Sequence, residues 1–252
     1  MHTLAAYLRS QYLLWLLVLG NVWQANAQQA NYLTVYHPFI NQAEKHLING
    51  DYLDALGAYE KAFEGDRRGF MKDYFNAAVC ATYTGNADKT YFYLLKVASK
   101  GISLDFIKNE FAFMGIQQDT SWRAFELNYL EEKRKADAKV DKQLKEVLDR
   151  LMNRDAWFRE KNEVAFADTI AVIDAQNALI LEKIIEEKGF PSEDEIGCGE
   201  GGMPIIQYPF YTIMRRQAGD NQMVNFSNQL IKAAQAGKIL PHFATHIMAT
   251  QN

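Results

Sequence analysis

The sequence predicts an all-α fold, and three observations carry that prediction. No proline occurs between Pro38 and Pro191, and no glycine between Gly115 and Gly189, so helix breakers are missing where long helices would run. No segment sustains the alternation of apolar and polar residues that half-buried strands need. Apolar residues make up 48% of the 252, which argues for a packed core rather than disorder.

The first element, residues 1–27, has the parts of a cleavable export signal. Arg9 precedes an apolar run at 12–19, and a polar stretch closes on Ala25-Asn26-Ala27 before Gln28. The run is shorter than the roughly 20 residues that span a bilayer as a helix, and no later segment comes closer. The residue directly after the expected cut is Gln28 rather than a cysteine, so a lipid anchor is not indicated. The expected mature chain is exported and soluble, in the periplasm or outside the cell. A retained amphipathic N-terminal helix is the alternative.

Residues 36–64 describe two short antiparallel helices joined by a glycine turn. Ala43 precedes Gly50 by seven residues, Asp51-Tyr52 follow, and Ala55, Tyr59 and Ala62 come at helical spacing. A looser second copy covers about 70–100. Gly85 follows Gly50 by 35 residues; Ala78 falls where Ala43 does, and Thr90, Leu94 and Val97 replace Ala55, Tyr59 and Ala62. This pattern resembles a tetratricopeptide repeat, whose period is about 34 residues. The resemblance implies a short helical-hairpin solenoid over residues 28–130, with the first helix of each pair lining a concave groove. On this chain those positions are His37, Ile40, Glu44 and Leu47 in the first copy and Lys72, Phe75, Val79 and Tyr83 in the second. A mixed aromatic and charged groove suits an extended peptide or a partner helix. Alternatively the hairpins pack on the chain's own later helices, and the groove is filled from within. Two copies cannot bury a solenoid core, so later helices must close the stack.

Residues 100–125 are expected to supply that closure. A turn at 101–105 leads to Phe106, Ile107, Phe111, Phe113 and Met114, and Asp119-Thr120-Ser121 reads as the cap of a helix starting at Trp122. This ending is similar to that of many exported bacterial repeat proteins. The charge-rich run EEKRKADAKVD, 131–141, reads as a solvated helix and the domain boundary, so a second helical domain is expected over 131–252. There Val140, Leu144, Val147, Leu148, Leu151 and Phe158 form one apolar stripe, and Ile170, Ile173, Leu181, Ile184 and Ile185 another. Gly189-Phe190-Pro191 stops the second helix, a loop rich in acid and glycine runs to Gly202, and apolar spacing returns over 203–216, 221–236 and 241–248.

Asp155 breaks the pattern, because it lies on the apolar stripe of its own helix, where a carboxylate must be partnered. Arg159 sits one turn on, and Asp174 and Asn177 fall in phase with Ile170 and Leu181 on the next helix. One reading is a polar staple fixing helix register. The other is a pocket where Asp155 and Asp174 work as acid and base while Arg159 and Asn177 orient a substrate. From about Val140 the chain resembles a bacterial domain of uncharacterised function, with an aspartate-x-x-x-arginine helix, then aspartate-x-x-asparagine leading to Ile184-Ile185, then Gly189, Phe190 and Pro191 where that domain has glycine-tryptophan-proline. Ile196-Gly197 fits the valine-glycine that follows. The chain departs in having Gln207-Tyr208 for a glutamine-histidine pair, and it ends at Ala249-Thr250-Gln251-Asn252 without the usual aspartate-arginine and glycine-threonine-glutamine. If the domain has a catalytic histidine, this member lacks it, which moves weight toward binding.

The remaining signals are bland. A net charge of -4 and a pI near 5.8, with basic and acidic residues interleaved, point away from nucleic acid. His242 and His246 share a helical face but bring no acidic ligand, so no metal site is expected. The Gly197–Gly202 loop has neither the preceding strand nor the following lysine of a phosphate loop and reads as a flexible connection. A Cys80–Cys198 bridge is chemically possible in an exported protein, but a buried free thiol is the ordinary outcome for Cys80. No cofactor is required. The expected function is an exported, non-catalytic scaffold whose groove holds a protein or peptide. The alternatives are a cell-envelope enzyme, such as a hydrolase, at the aspartate pair, and an adapter within an envelope complex.

Overall fold

The computed structural model describes residues 31–65, 68–200, 203–218 and 222–251, without the side chains of Asp155, Glu200 and Met203. The expected export signal lies outside the described residues. Residues Tyr32–Asn252 form a single compact unit.

Its first half is a pair of helical hairpins. Helix α1 (Tyr32–Val35) leads into α2 (His37–Asn49), and α3 (Tyr52–Gly65), α4 (Met71–Tyr83) and α5 (Ala87–Ala98) follow, each packed on the one before. Pro38 stands in the first turn of α2, where its missing N–H has no helical acceptor to serve. Gly50 and Gly85 end the first helix of each hairpin at φ 80° and 72°. A Cβ at either would meet nothing within 4 Å, so the left-handed backbone is what demands glycine there. The positions equated by the 35-residue offset are equivalent in burial. Ala43 and Ala78, Ala55 and Thr90, Tyr59 and Leu94, and Ala62 and Val97 are all fully buried. Small residues at the helix crossings let the backbones approach, and the larger ones fill the space beside them.

Helix α6 (Leu104–Asn109), capped by Ser103, and two 3₁₀ turns (Phe111–Phe113 and Ile116–Gln118) lead to α7 (Trp122–Lys139). The expected closure is present: Trp122, Phe125 and Tyr129 are buried in the same core as the hairpins, and Tyr91 stacks on Phe125 at 4.8 Å. The charge-rich stretch continues α7 unbroken to Lys139. Its solvent-facing pairs Lys133–Asp137, Arg134–Glu131 and Lys135–Glu132 lie one turn apart, where water and salt screen them and leave them little weight in stability.

The second half is built on α8 (Lys142–Asn162) and α9 (Ala167–Lys188), followed by the one-turn helix α10 (Glu193–Ile196), a two-residue antiparallel ribbon of β1 (Gly199–Glu200) and β2 (Met203–Pro204), α11 (Tyr211–Arg215), α12 (Ser227–Gln235) and α13 (Pro241–Gln251). Leu144, Leu148 and Leu151 from one expected stripe meet Leu181 from the other in a second core, with Ala178, Phe210, Tyr211, Met214, Phe226 and Leu230 beside them. Helix occupies only part of 203–216, since Pro204 and Pro209 withhold N–H donors there.

Up to residue 200 the acid- and glycine-rich loop is held by specific contacts rather than being a flexible connection. Its described part is a fastening. The Glu193 carboxylate accepts the Met71 N–H at 2.9 Å and the Lys100 ammonium at 2.8 Å, while Asp194 takes Lys100 at 2.6 Å. Ser192 and Glu195 close a capping box, Glu195 pairs with Lys238 at 2.7 Å, and its carbonyl accepts the Asp141 N–H at 2.8 Å. Cys198 is fully buried in the first core and donates its thiol to the Lys100 carbonyl at 3.0 Å; Cys80 is also buried, and both thiols are free. Burial alone would push Lys100 down, but Glu193 and Asp194 more than offset it and hold its ammonium above the usual lysine range.

Candidate functional site

The eight residues expected to line the hairpin groove do not share one environment. Ile40 is only 3% exposed and belongs to the core, because it lies four residues after buried Tyr36 and three before buried Ala43. It is removed from the lining set. His37, Glu44, Leu47, Lys72, Phe75 and Val79 are half-buried, and Tyr83 is exposed. Glu44 and Lys72 form a close ion pair that links α2 to α4.

The chain itself covers part of this surface. Leu240 is buried in the first core, and Phe243 packs against it, so the start of α13 reaches the hairpins. His242 feels the charges of Lys72, Glu44 and His37. Burial is the first reason that His37 and His242 both sit below the usual histidine range; Lys72 adds to it, and Glu44 pulls the other way. Phe75 meets Phe106 at 5.9 Å and Phe113 at 5.6 Å. Left open is a strip running from the Glu44–Lys72 pair past Leu47 and Val79 to Tyr83, which stacks on Tyr52 at 4.5 Å. Ile48, next to Leu47, is 84% exposed.

Beneath the strip lies a residue that sequence reasoning missed. Asp73 is fully buried; Tyr36 donates to its Oδ2 at 2.9 Å, and Oδ1 has no hydrogen-bond partner. Burial raises its carboxyl to about 7, against the opposing pull of Lys72 and the Tyr36 hydrogen bond, while Glu44 and Glu193 push it further up. The signal was available in the register: Asp73 stands four residues before Ala77 and seven before Cys80, on the buried face of α4.

The second candidate cluster is only partly assembled. Arg159 meets Asp174 at 2.6 Å and Glu163 at 2.5 Å, and Arg216, not foreseen, approaches Asp174 at 3.8 Å. Asn177 does not join them. It is buried and donates to the Leu151 carbonyl at 3.1 Å, binding α9 to the backbone of α8. The Asp155 side chain lies outside the described residues. His242 and His246 are exposed, and among the described residues no group of His, Cys, Asp or Glu is placed to hold a metal ion. No described helix is long and apolar enough to cross a membrane.

A further cleft, of about 640 Å³, is lined by Glu60, Phe63, Tyr74, Lys89, Phe92 and Lys96. Sequence periodicity gave no sign of it, because its aromatic rings come from three different helices. Comparisons with protein-family models, curated proteins and solved structures find no match to the chain.

Proposed function

We propose that this all-helical chain is an exported, non-catalytic scaffold whose tetratricopeptide-like hairpin groove binds a protein or peptide partner. The carrying observation is that seven of the eight expected lining residues keep some exposure, along a strip that passes from a charged pair to an exposed tyrosine. An amphipathic segment suits such a surface: its charged end matches the Glu44–Lys72 pair, and its apolar side covers Leu47, Ile48 and Val79. Aromatic side chains at the rim of a groove supply contact area at small entropy cost. Export rests on the composition of residues 1–27 alone.

The enzyme reading has less support. Asp174 is engaged by Arg159 and Arg216, and Asn177 by backbone, an arrangement that serves as a joint between α8, α9 and the end of α11. The test is quantitative co-purification from cell envelopes, comparing the native chain with Ile48→Glu/Tyr83→Glu and with Asp174→Asn. A partner lost only from the first variant supports the groove. A partner held equally by all three overturns it.

A further inference from the structure

We propose that the cleft lined by α3, α4 and α5 binds a zwitterion with an aromatic body, the chemistry of a free aromatic amino acid or of a short peptide with free ends. The cleft holds about 640 Å³, within the range of small-molecule sites, and it shares no lining residue with the hairpin groove. Its floor is aromatic. Phe63 meets Tyr74 at 4.7 Å and Tyr93 at 5.5 Å, and Phe92 meets Tyr93 edge-on at 5.1 Å. Phe92 is 53% exposed, so a flat apolar group laid in the cleft takes ring surface out of water.

The walls carry opposite charge, each from one helix. Glu60 and Glu64 stand one turn apart on α3, and Lys89 and Lys96 two turns apart on α5; these are all the charged residues lining the cleft. One pair closes across it, Lys89 on Glu60 at 2.5 Å. The other pair is out of step. Glu64 lies one turn past Glu60 but Lys96 two turns past Lys89, and neither has an ion-pair partner among the described residues. Lys96 instead holds its ammonium 5.4 Å from the centre of the Phe92 ring. One carboxylate and one ammonium therefore stay open above the aromatic floor, and they choose the ligand. A simple cation attracted by Glu64 is repelled by Lys96, and a simple anion meets the reverse. A molecule with both charges satisfies both, its ammonium on Glu64 and its carboxylate on Lys96, and breaks no existing ion pair. Lys96 leaves Phe92 to reach that carboxylate, which uncovers the ring for the ligand's own aromatic group.

The test is titration calorimetry of the full chain with L-phenylalanine, phenylalaninamide, N-acetylphenylalanine, L-leucine and the dipeptide of two phenylalanines. Phenylalanine should bind, and the amide and the N-acetyl form, each lacking one charge, should bind about tenfold more weakly. Glu64→Gln should weaken phenylalanine and its amide and leave N-acetylphenylalanine unchanged. Lys96→Gln should weaken phenylalanine and N-acetylphenylalanine and spare the amide. Phe92→Ser should weaken all three. These side chains are exposed, so the variants should keep the native helical signal. Tighter binding of the dipeptide assigns the cleft to short peptides, and tighter binding of phenylalanine to the free amino acid. The proposal is overturned if neither binds at about 10 mM, if leucine binds as tightly as phenylalanine, or if the two charge variants weaken all three ligands equally.

Discussion

The Tyr36 hydroxyl donates to the Asp73 carboxylate at 2.9 Å, tying the residue before α2 to the first turn of α4 inside the core. Asp73 titrates near 7 rather than at its ordinary 3.8 because burial disfavours the charged form. In the unfolded chain the group loses its proton near pH 4, but in the folded chain only near 7. Its contribution to stability is therefore complete below the unfolded value and is lost as pH rises through the folded one. The shift corresponds to a loss of about 4 kcal/mol at most. Asp73→Asn keeps an acceptor for Tyr36 and removes the titration. Between pH 5 and pH 8 its urea midpoint should fall less than that of the native chain; equal slopes would rule out Asp73 as the source.

Glu193 joins parts of the chain that are 122 residues apart, through the Met71 N–H. Glu193→Ala leaves that N–H unserved and Lys100 buried with Asp194 as its remaining carboxylate. The expected cost is about 2–4 kcal/mol in urea denaturation. A change under about 0.5 kcal/mol, the size typical of a surface substitution, would mean that the fastening contributes little.

Glycine substitutions separate backbone strain from crowding. Gly50→Ala and Gly85→Ala meet positive φ and open space, so each should cost about 1 kcal/mol. Gly237→Ala meets φ 67° and also a Tyr32 ring carbon 2.6 Å from the new Cβ, so it should cost more. Equal melting-temperature shifts for all three would show that Tyr32 moves aside freely.

The groove and the core divide at neighbouring turns of α2. Ile40→Ala should lower stability by about 2–4 kcal/mol, because it empties a buried site. Leu47→Ala should cost less stability and weaken capture of the partner in the co-purification assay. Loss of capture through Ile40→Ala alone, with its fold intact, would contradict this division.

The turn glycines, the small residues at the helix crossings and the long proline-free stretch determined from sequence alone that the chain is helical and that its hairpins repeat with an offset of 35 residues. These are local properties, written in φ and in spacing along one helix. The tertiary structure alone decided that Ile40 faces inward, that Asn177 serves the α8 backbone while Arg216 joins Asp174, and that residues 192–198 fasten the two cores together. Each of these depends on which atoms from distant segments arrive at the same place. Glu193 and Lys100 lie 93 residues apart in sequence, with no pattern linking them, whereas the register of α4 alone places Asp73 on its buried face. The burial of the first two follows from packing between elements, and that packing determines whether a charge is solvated, paired or driven to hold its proton.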